Sequence, residues 1–269
     1  MRKSTHTISI TSGKGGVGKT TLVCNTAVEL ARQGQKVLIL DGDLGMANVD
    51  LMFGKRASLS LEHVVRGQTP LEDVILPMNE NIDLIAGGHG IYGMNALSSF
   101  DRQRLMDQVN ALNNKYDYMI IDTAPGIDEN VLYLNAAARE IVVTATPDPA
   151  SIKDSYALIK VLNQRYRESR FSVLPNMVSN EAEAVRVFER LSDVANHFLC
   201  VSLDYRGFVP MDLNLRHSTR NQALISLTEP YAASAVAIRD FAGSLKAGRG
   251  LNQSKGGMQF FWQQLSGVA

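Results

Sequence analysis

The eight residues Gly13-Lys-Gly-Gly-Val-Gly-Lys19-Thr20 constrain this chain more than any other stretch. They match G-x-x-x-x-G-K-[ST], a loop that must stand between a strand and a helix. Both flanks are present. Ile8 to Thr11 reads as a strand, and Thr20 to Arg32 as a helix closed by Gly34 as its C-cap. Glycines let such a loop wrap a phosphate with its N–H groups turned inward. The helix N-terminus adds partial positive charge. Lys19 is placed to neutralise β- and γ-phosphates, and the Thr20 hydroxyl to bind Mg²⁺. The expected nucleotide contacts are Gly13, Lys14, Gly15, Gly16, Val17, Gly18, Lys19, Thr20 and Thr21.

The remainder of the chain repeats that strand–helix alternation. Val37 to Leu40, Ile82 to Ala86, Tyr118 to Ile121, Ile141 to Ala145 and Phe171 to Leu174 are short runs of strand type. Several are apolar at every position, as in parallel strands covered on both faces. Between them lie helical spacings: Leu105, Val109 and Leu112 behind an Asp101 N-cap, and Val187, Phe188, Leu191 and Val194. Ser151 to Asp154 reads as a capping box opening a helix through Leu162. The order predicts an α/β fold: a doubly wound, mostly parallel central sheet with helices on both faces.

Two of these strands end in carboxylates. Val37-Leu-Ile-Leu-Asp41-Gly-Asp43 and Tyr118-Met-Ile-Ile-Asp122-Thr-Ala-Pro-Gly126 deliver acids to the edge where α/β sheets bind ligands. Carboxylates there can hold a metal-bound water or orient an attacking one. Asn176, after Val173-Leu-Pro, carries an amide that both donates and accepts, which suits a purine edge. Turn chemistry alone would also place Asp, Gly, Asn and Pro at such strand ends.

Lys+Arg and Asp+Glu both number 27, which argues against bulk-charge coating of DNA; no direct nucleic-acid partner is expected. Cys24 and Cys200 stand far apart, in no metal-like spacing, so a reduced, cytoplasmic compartment is expected. No stretch approaches the ~18 apolar residues of a spanning helix. A P-loop ATPase domain is expected over 1–245 and a flexible Gly-rich linker over 246–257. Residues 258–269 are expected to form an amphipathic tail. On a helix, Met258, Phe261, Trp262 and Leu265 share one face. That face suits peripheral contact with the inner surface of the cell membrane, or docking on the protein itself.

Lys14, a second lysine inside the loop, makes the pattern K-G-G-x-G-K-[ST]. It resembles the deviant Walker A group, which includes the MinD and ParA ATPases, nitrogenase iron protein and the arsenical-pump ATPases. The resemblance implies ATP and Mg²⁺ as ligands, hydrolysis of ATP with water to ADP and phosphate, and an ATP-bound homodimer in which Lys14 reaches the partner's nucleotide. It implies that Asp43 positions the hydrolytic water and that Asp41 and Asp122 sit in the outer shell of Mg²⁺. It further implies that Gly126 senses the γ-phosphate, and that Phe208-Val-Pro210-Met-Asp212 packs the base. Clustered cysteines for an Fe–S carrier are missing.

Within the group, several stretches look like the flagellar-number regulators of the FlhG/FleN kind: Leu44 to Gly54, Asp122 to Ile127, Pro149 to Lys160, Phe171 to Met177 and the Phe260-Phe261 cluster. The resemblance covers about residues 6 to 265. It implies restraint of a flagellar master transcription factor of the FleQ type, with an FlhF-type GTPase and flagellar switch components as further partners. The chain starts about five residues before its first strand, which leaves activation of an FlhF-type GTPase open. Two alternatives stand beside this: a MinD-type cell-division-site ATPase, whose tail is usually richer in cations, and a partner-binding regulator in which hydrolysis is incidental.

Overall fold

The computed structural model describes residues 4–43, 48–88, 98–112, 115–248 and 257–266. Part of the Leu44 to Gly54 stretch and most of the expected linker lie outside them. The strands are β1 (His6–Thr11), β2 (Val37–Gly42), β3 (Ile75–Asn79), β4 (Ile82–Ala86) and β5 (Tyr118–Thr123), then β6 (Glu140–Ala145), β7 (Arg170–Val178), β8 (Ser202–Tyr205) and β9 (Val209–Pro210). They form one sheet in the order β3-β4-β2-β5-β1-β6-β7-β8, with β9 pairing the far half of β7. All pairs are parallel except β3 with β4. The doubly wound expectation holds. The β3 edge was not anticipated, because Pro77 and half-exposed neighbours mask its strand pattern.

The helices are α1 (Lys19–Arg32), α2 (Val49–Met52), α3 (Leu61–Val65), α4 (Ser99–Ala111) and α5 (Glu129–Ala137). They continue with α6 (Pro149–Tyr166), α7 (Glu181–Phe198), α8 (Leu213–Arg220), α9 (Ile225–Thr228), α10 (Ala233–Gly248) and α11 (Met258–Leu265). The continuous apolar strands serve two faces at once. Ile8, Ile10, Val37, Ile39 and Ile120 pack towards α1 and α10. Leu38, Leu40, Met119 and Ile121 point the other way, into a cluster shared with α4, α5 and α11.

Three local expectations need correction. Helix α6 is capped by Asp148, whose carboxylate accepts from the Ala150 N–H at 2.9 Å, with Pro149 in its first turn. Pro is favoured there because its missing N–H has no intrahelical partner to lose. Ser151 lies inside the helix and accepts from the Thr146 N–H instead. Helix α4 is capped by Ser98, and Asp101 stands at the third helical position, where its N–H donates to Ser98 Oγ at 3.1 Å. Helix α10 runs on to Gly248, past the expected start of the linker at Lys246.

The tail was expected either to face a membrane or to dock on the protein itself, and Met258, Phe261, Trp262 and Leu265 are 0–3% exposed. Trp262 heads the largest fully buried side chains of the protein. The physical reason is the sheet face beneath. Leu38, Leu40, Met119 and Ile121 need an apolar cover, and α11 supplies it together with α4 and α5. Of the two destinations open to the tail, docking on the protein itself is the one taken here. Among the described residues, no helix is long and apolar enough to cross a membrane.

Candidate active site

The phosphate loop turns where its glycines allow. Gly16 and Gly18 have φ of 77° and 92°, in the left-handed region. Gly13 is required by proximity rather than φ: a Cβ there would lie 2.1 Å from the backbone of Asp154 in α6. Among the described residues, a Cβ on Gly15 would meet only Pro125, at 3.7 Å. Val17 is buried, and its carbonyl accepts from Asn176 Nδ2 at 2.7 Å. The Thr21 carbonyl accepts from Asn25 Nδ2 at 2.8 Å, inside α1.

Lys19 is 7% exposed, and its ammonium donates to Ser12 Oγ at 3.1 Å. Burial pulls its pKa down, while the charges of Asp122 and Asp43 pull it back up. Thr20 Oγ1 donates to Asp122 Oδ2 at 2.6 Å. Asp122 pairs in register with Asp41 across β2 and β5. Burial, and then the charge of Asp41, push the Asp122 carboxyl up to about 8 against the help of Thr20 and Lys19. Burial pushes Asp41 up to about 7, although it accepts from the N–H groups of Asp43, at 3.1 Å, and Val49, at 3.3 Å. Two buried carboxylates side by side with one lysine are under-compensated. The other Asp122 oxygen, Oδ1, has no hydrogen-bond partner among the described residues. A hydroxyl, an orphaned carboxylate oxygen and a second acid fit the outer shell of a hydrated Mg²⁺. No cluster of three or more His, Cys, Asp or Glu that would form an all-protein metal cage occurs among the described residues.

Gly126 has φ of 103°, and its N–H donates to the Ser12 carbonyl at 3.0 Å, tying the segment after Asp122 to the phosphate loop. Lys14 points elsewhere. Its ammonium pairs with Asp148 at the cap of α6, and that contact holds the Asp148 carboxyl below its usual range. Asn176 is buried with its amide spent inside the protein, Nδ2 on Val17 and Oδ1 on the Met177 N–H. Asp212 is likewise engaged, capping α8 through the Asn214 N–H and holding Ser234 Oγ at 2.7 Å. Burial alone would raise its carboxyl, and these bonds hold it low. Pro210 ends β9 beside Val178. The structure therefore brings Lys19, Thr20, Asp41, Asp43 and Asp122 together at one edge. It gives the base-side residues structural tasks.

Two participants were missed. Ser12 links Lys19, Lys14 and Gly126 in one turn, and Asp148 is Lys14's partner. The Asp148-Pro149 dipeptide at a helix start was the available signal for the latter.

A family model described as an AAA domain matches residues 5–173. The antiactivator FleN of Pseudomonas aeruginosa is 33% identical over 258 residues, covering 96% of this chain and 92% of FleN. The chain belongs to the MinD/ParA-type ATPases, in the branch that contains FleN. The flagellum site-determining protein YlxH of Helicobacter pylori is also 33% identical, over 97% of this chain and 90% of its own length. Among solved structures, the septum site-determining protein MinD of Pyrococcus horikoshii, complexed with Mg-ADP, superposes with a TM-score of 0.69. It is 26% identical, with 93% of this chain and 99% of that one covered.

Proposed function

We propose that this FleN-type ATPase is a Mg²⁺-dependent, ATP-driven dimerising switch that regulates flagellar number. The single observation that carries the chemistry is the Thr20–Asp122 pair beside the buried Lys19, with Asp41 in register and one Asp122 oxygen unpartnered. That group is poised for a cation and a phosphate together. Bound Mg²⁺ would supply charge neutralisation at the β- and γ-phosphates. Loop N–H groups and Lys19 would hold the phosphates. Asp43 would orient the attacking water, so that ATP and water give ADP and phosphate. Gly126, already tethered to Ser12, would report the γ-phosphate.

Dimerisation requires Lys14 to leave Asp148 and reach a partner's nucleotide. The biological output follows FleN: restraint of a FleQ-like flagellar transcription factor, with an FlhF-type GTPase and flagellar switch components as further partners. The flagellar reading is favoured over a septum-siting one by 33% identity to FleN and YlxH over 96–97% of this chain; MinD relatives reach 34% over only 59% of it, or 27–28% over 87–89%. The division into an ATPase domain, a linker and a tail belongs to the same proposal. Membrane contact through Met258, Phe261, Trp262 and Leu265 would need α11 to leave its seat.

The test is molar mass by light scattering in Mg-ADP and Mg-ATP, for the wild type, Lys14→Ala and Asp43→Ala. The expected result is a doubling in ATP only, lost in Lys14→Ala and prolonged in Asp43→Ala. A mass that ignores the nucleotide in all three would rule the switch out.

A further inference from the structure

Helix α5 meets both the strand end at Gly42 and the seat of α11 through Leu134, and the strand leading into the phosphate loop through Asn135. Leu134 lies directly over Gly42, between Asp41 and Asp43: a Cβ on Gly42 would come within 2.5 Å of Leu134 Cδ1. The same Leu134 belongs to the apolar cluster that holds Phe261 and Trp262 of α11. Asn135 is of another kind. It is fully buried in a helix whose other buried positions are Val131, Leu132, Leu134 and Ala137. Its Oδ1 accepts from Ser9 Oγ at 2.7 Å. Its Nδ2 donates to Thr11 Oγ1 at 3.1 Å and to the Val131 carbonyl at 2.7 Å. Thr123 Oγ1 in turn donates to Thr11 Oγ1 at 2.9 Å. Ser9, Thr11 and Thr123 are all 0% exposed.

One amide thus ties α5 to the strand that enters the phosphate loop. Through Thr11 it also ties α5 to the residue after Asp122. Stability alone does not call for this choice. Asn is a poor interior helix residue, and a buried amide is costly unless every polar atom finds a partner. What a satisfied polar network adds over an apolar contact is one fixed arrangement of the elements it joins. On the Leu134 face of α5, the seat of α11 is an apolar cluster. The Trp262 Nε1–H has no acceptor among the described residues, so the indole is held by packing. A helix held by packing responds to small shifts of the surface beneath it.

We infer that Asn135 is a positioning residue that locks α5 to the phosphate-loop strand, so that rearrangement at Asp122 and Gly126 passes through α5 and Leu134 to the seat of α11. This rests on the nucleotide-switch reading above. Asn135 makes no contact with the phosphate loop itself and is not a catalytic residue.

Trp262 is the only tryptophan, so its emission reports the seat directly. The experiment uses the full chain as wild type, Asn135→Leu and Thr11→Val, the last keeping the shape at the pivot while removing its hydroxyl. For each, Mg-ATP and Mg-ADP affinities are measured by calorimetry. Trp262 emission is recorded free and at nucleotide saturation. Wild type is expected to show an ATP-specific change in emission. Asn135→Leu is expected to bind Mg-ATP within about threefold of wild type, as for a site lacking a direct contact, and to lose more than half of the emission change. Thr11→Val should lose it likewise, and the double variant should lose no more than either single one, as expected of one shared network. If Asn135→Leu fails to fold, Thr11→Val alone decides. A full emission change in the folded variants overturns the inference. So does a wild type that binds Mg-ATP without any change at Trp262, which leaves the ATPase reading intact. A wild type that binds neither nucleotide removes both.

Discussion

The two edges of one sheet treat buried carboxylates in opposite ways. At the edge where the strands end, Asp41 and Asp122 lie side by side under-compensated, and burial pushes them up to about 7 and about 8. At the edge where the strands begin, Glu140 is just as enclosed. It accepts from Ser172 Oγ at 2.8 Å and Arg206 Nη2 at 2.8 Å, and meets His6 Nε2 at 3.1 Å. Burial alone would raise Glu140 too, but these partners together hold it below the usual carboxylate range. The same residue chemistry, at the same depth, is complete at one edge and incomplete at the other. The complete edge serves folding. The incomplete edge fits an arriving cation and phosphate.

The largest effect expected from breaking this contrast is on the reaction. Lys19→Met should lower ATP hydrolysis by about 10³-fold, the scale of removing a positioned charge from the developing transition state. Phosphate release under saturating Mg-ATP measures it, with a melting curve to establish folding. Next in size is the complete edge. Arg206→Met leaves Glu140 with its charge and without its cation, at a cost of about 3 kcal/mol in chemical denaturation at pH 7. Glu140 is depressed in the folded state, so its contribution is present above the unfolded carboxylate pKa and is lost as pH falls through the folded value. The gap between Arg206→Met and wild type should therefore close under acid conditions.

Asp122→Asn should do the reverse in ligand-free protein. A carboxyl raised to about 8 holds its proton more tightly folded than unfolded. Its stabilising contribution is thus present below the unfolded value and is lost as pH rises towards 8. Replacing it should stabilise the free protein by about 1–2 kcal/mol near pH 8 and by little near pH 5, while abolishing Mg-dependent hydrolysis. Parallel pH trends for the Arg206 and Asp122 variants would contradict the two-edge account. The smallest effect concerns Lys14. Its pair with Asp148 is open to solvent, and such pairs contribute little. Asp148→Asn should lower the Mg-ATP concentration at half-maximal dimer only a few-fold, read by light scattering.

The site was legible in the sequence to the extent that it is local. The loop from Gly13 to Thr20 and the strands ending at Asp41 and Asp122 each declare themselves within about ten residues. Their convergence follows from parallel topology. Asn176 was readable as a strand-end amide, and Asp212 only through the resemblance, in the segment expected to pack the base. Their side chains serve Val17, Asn214 and Ser234, because a buried backbone group competes for any amide or carboxylate within reach. Asn135 stayed invisible for the same reason. Its partners Ser9 and Thr11 lie far away in the chain, and nothing in a short apolar helix marks one amide as a bridge.

By itself, then, the sequence determined the phosphate loop, the alternation of strand and helix, and the acids at the strand ends, because short-range spacing and backbone chemistry dictate them. Only the tertiary structure decided the partner of Lys14, the cage around Glu140 and the inward turn of Phe261 and Trp262. An apolar stripe records only that it must be covered. What covers it depends on which other surface is left bare, and here that surface is the face of β2 and β5, assembled from residues more than a hundred positions away.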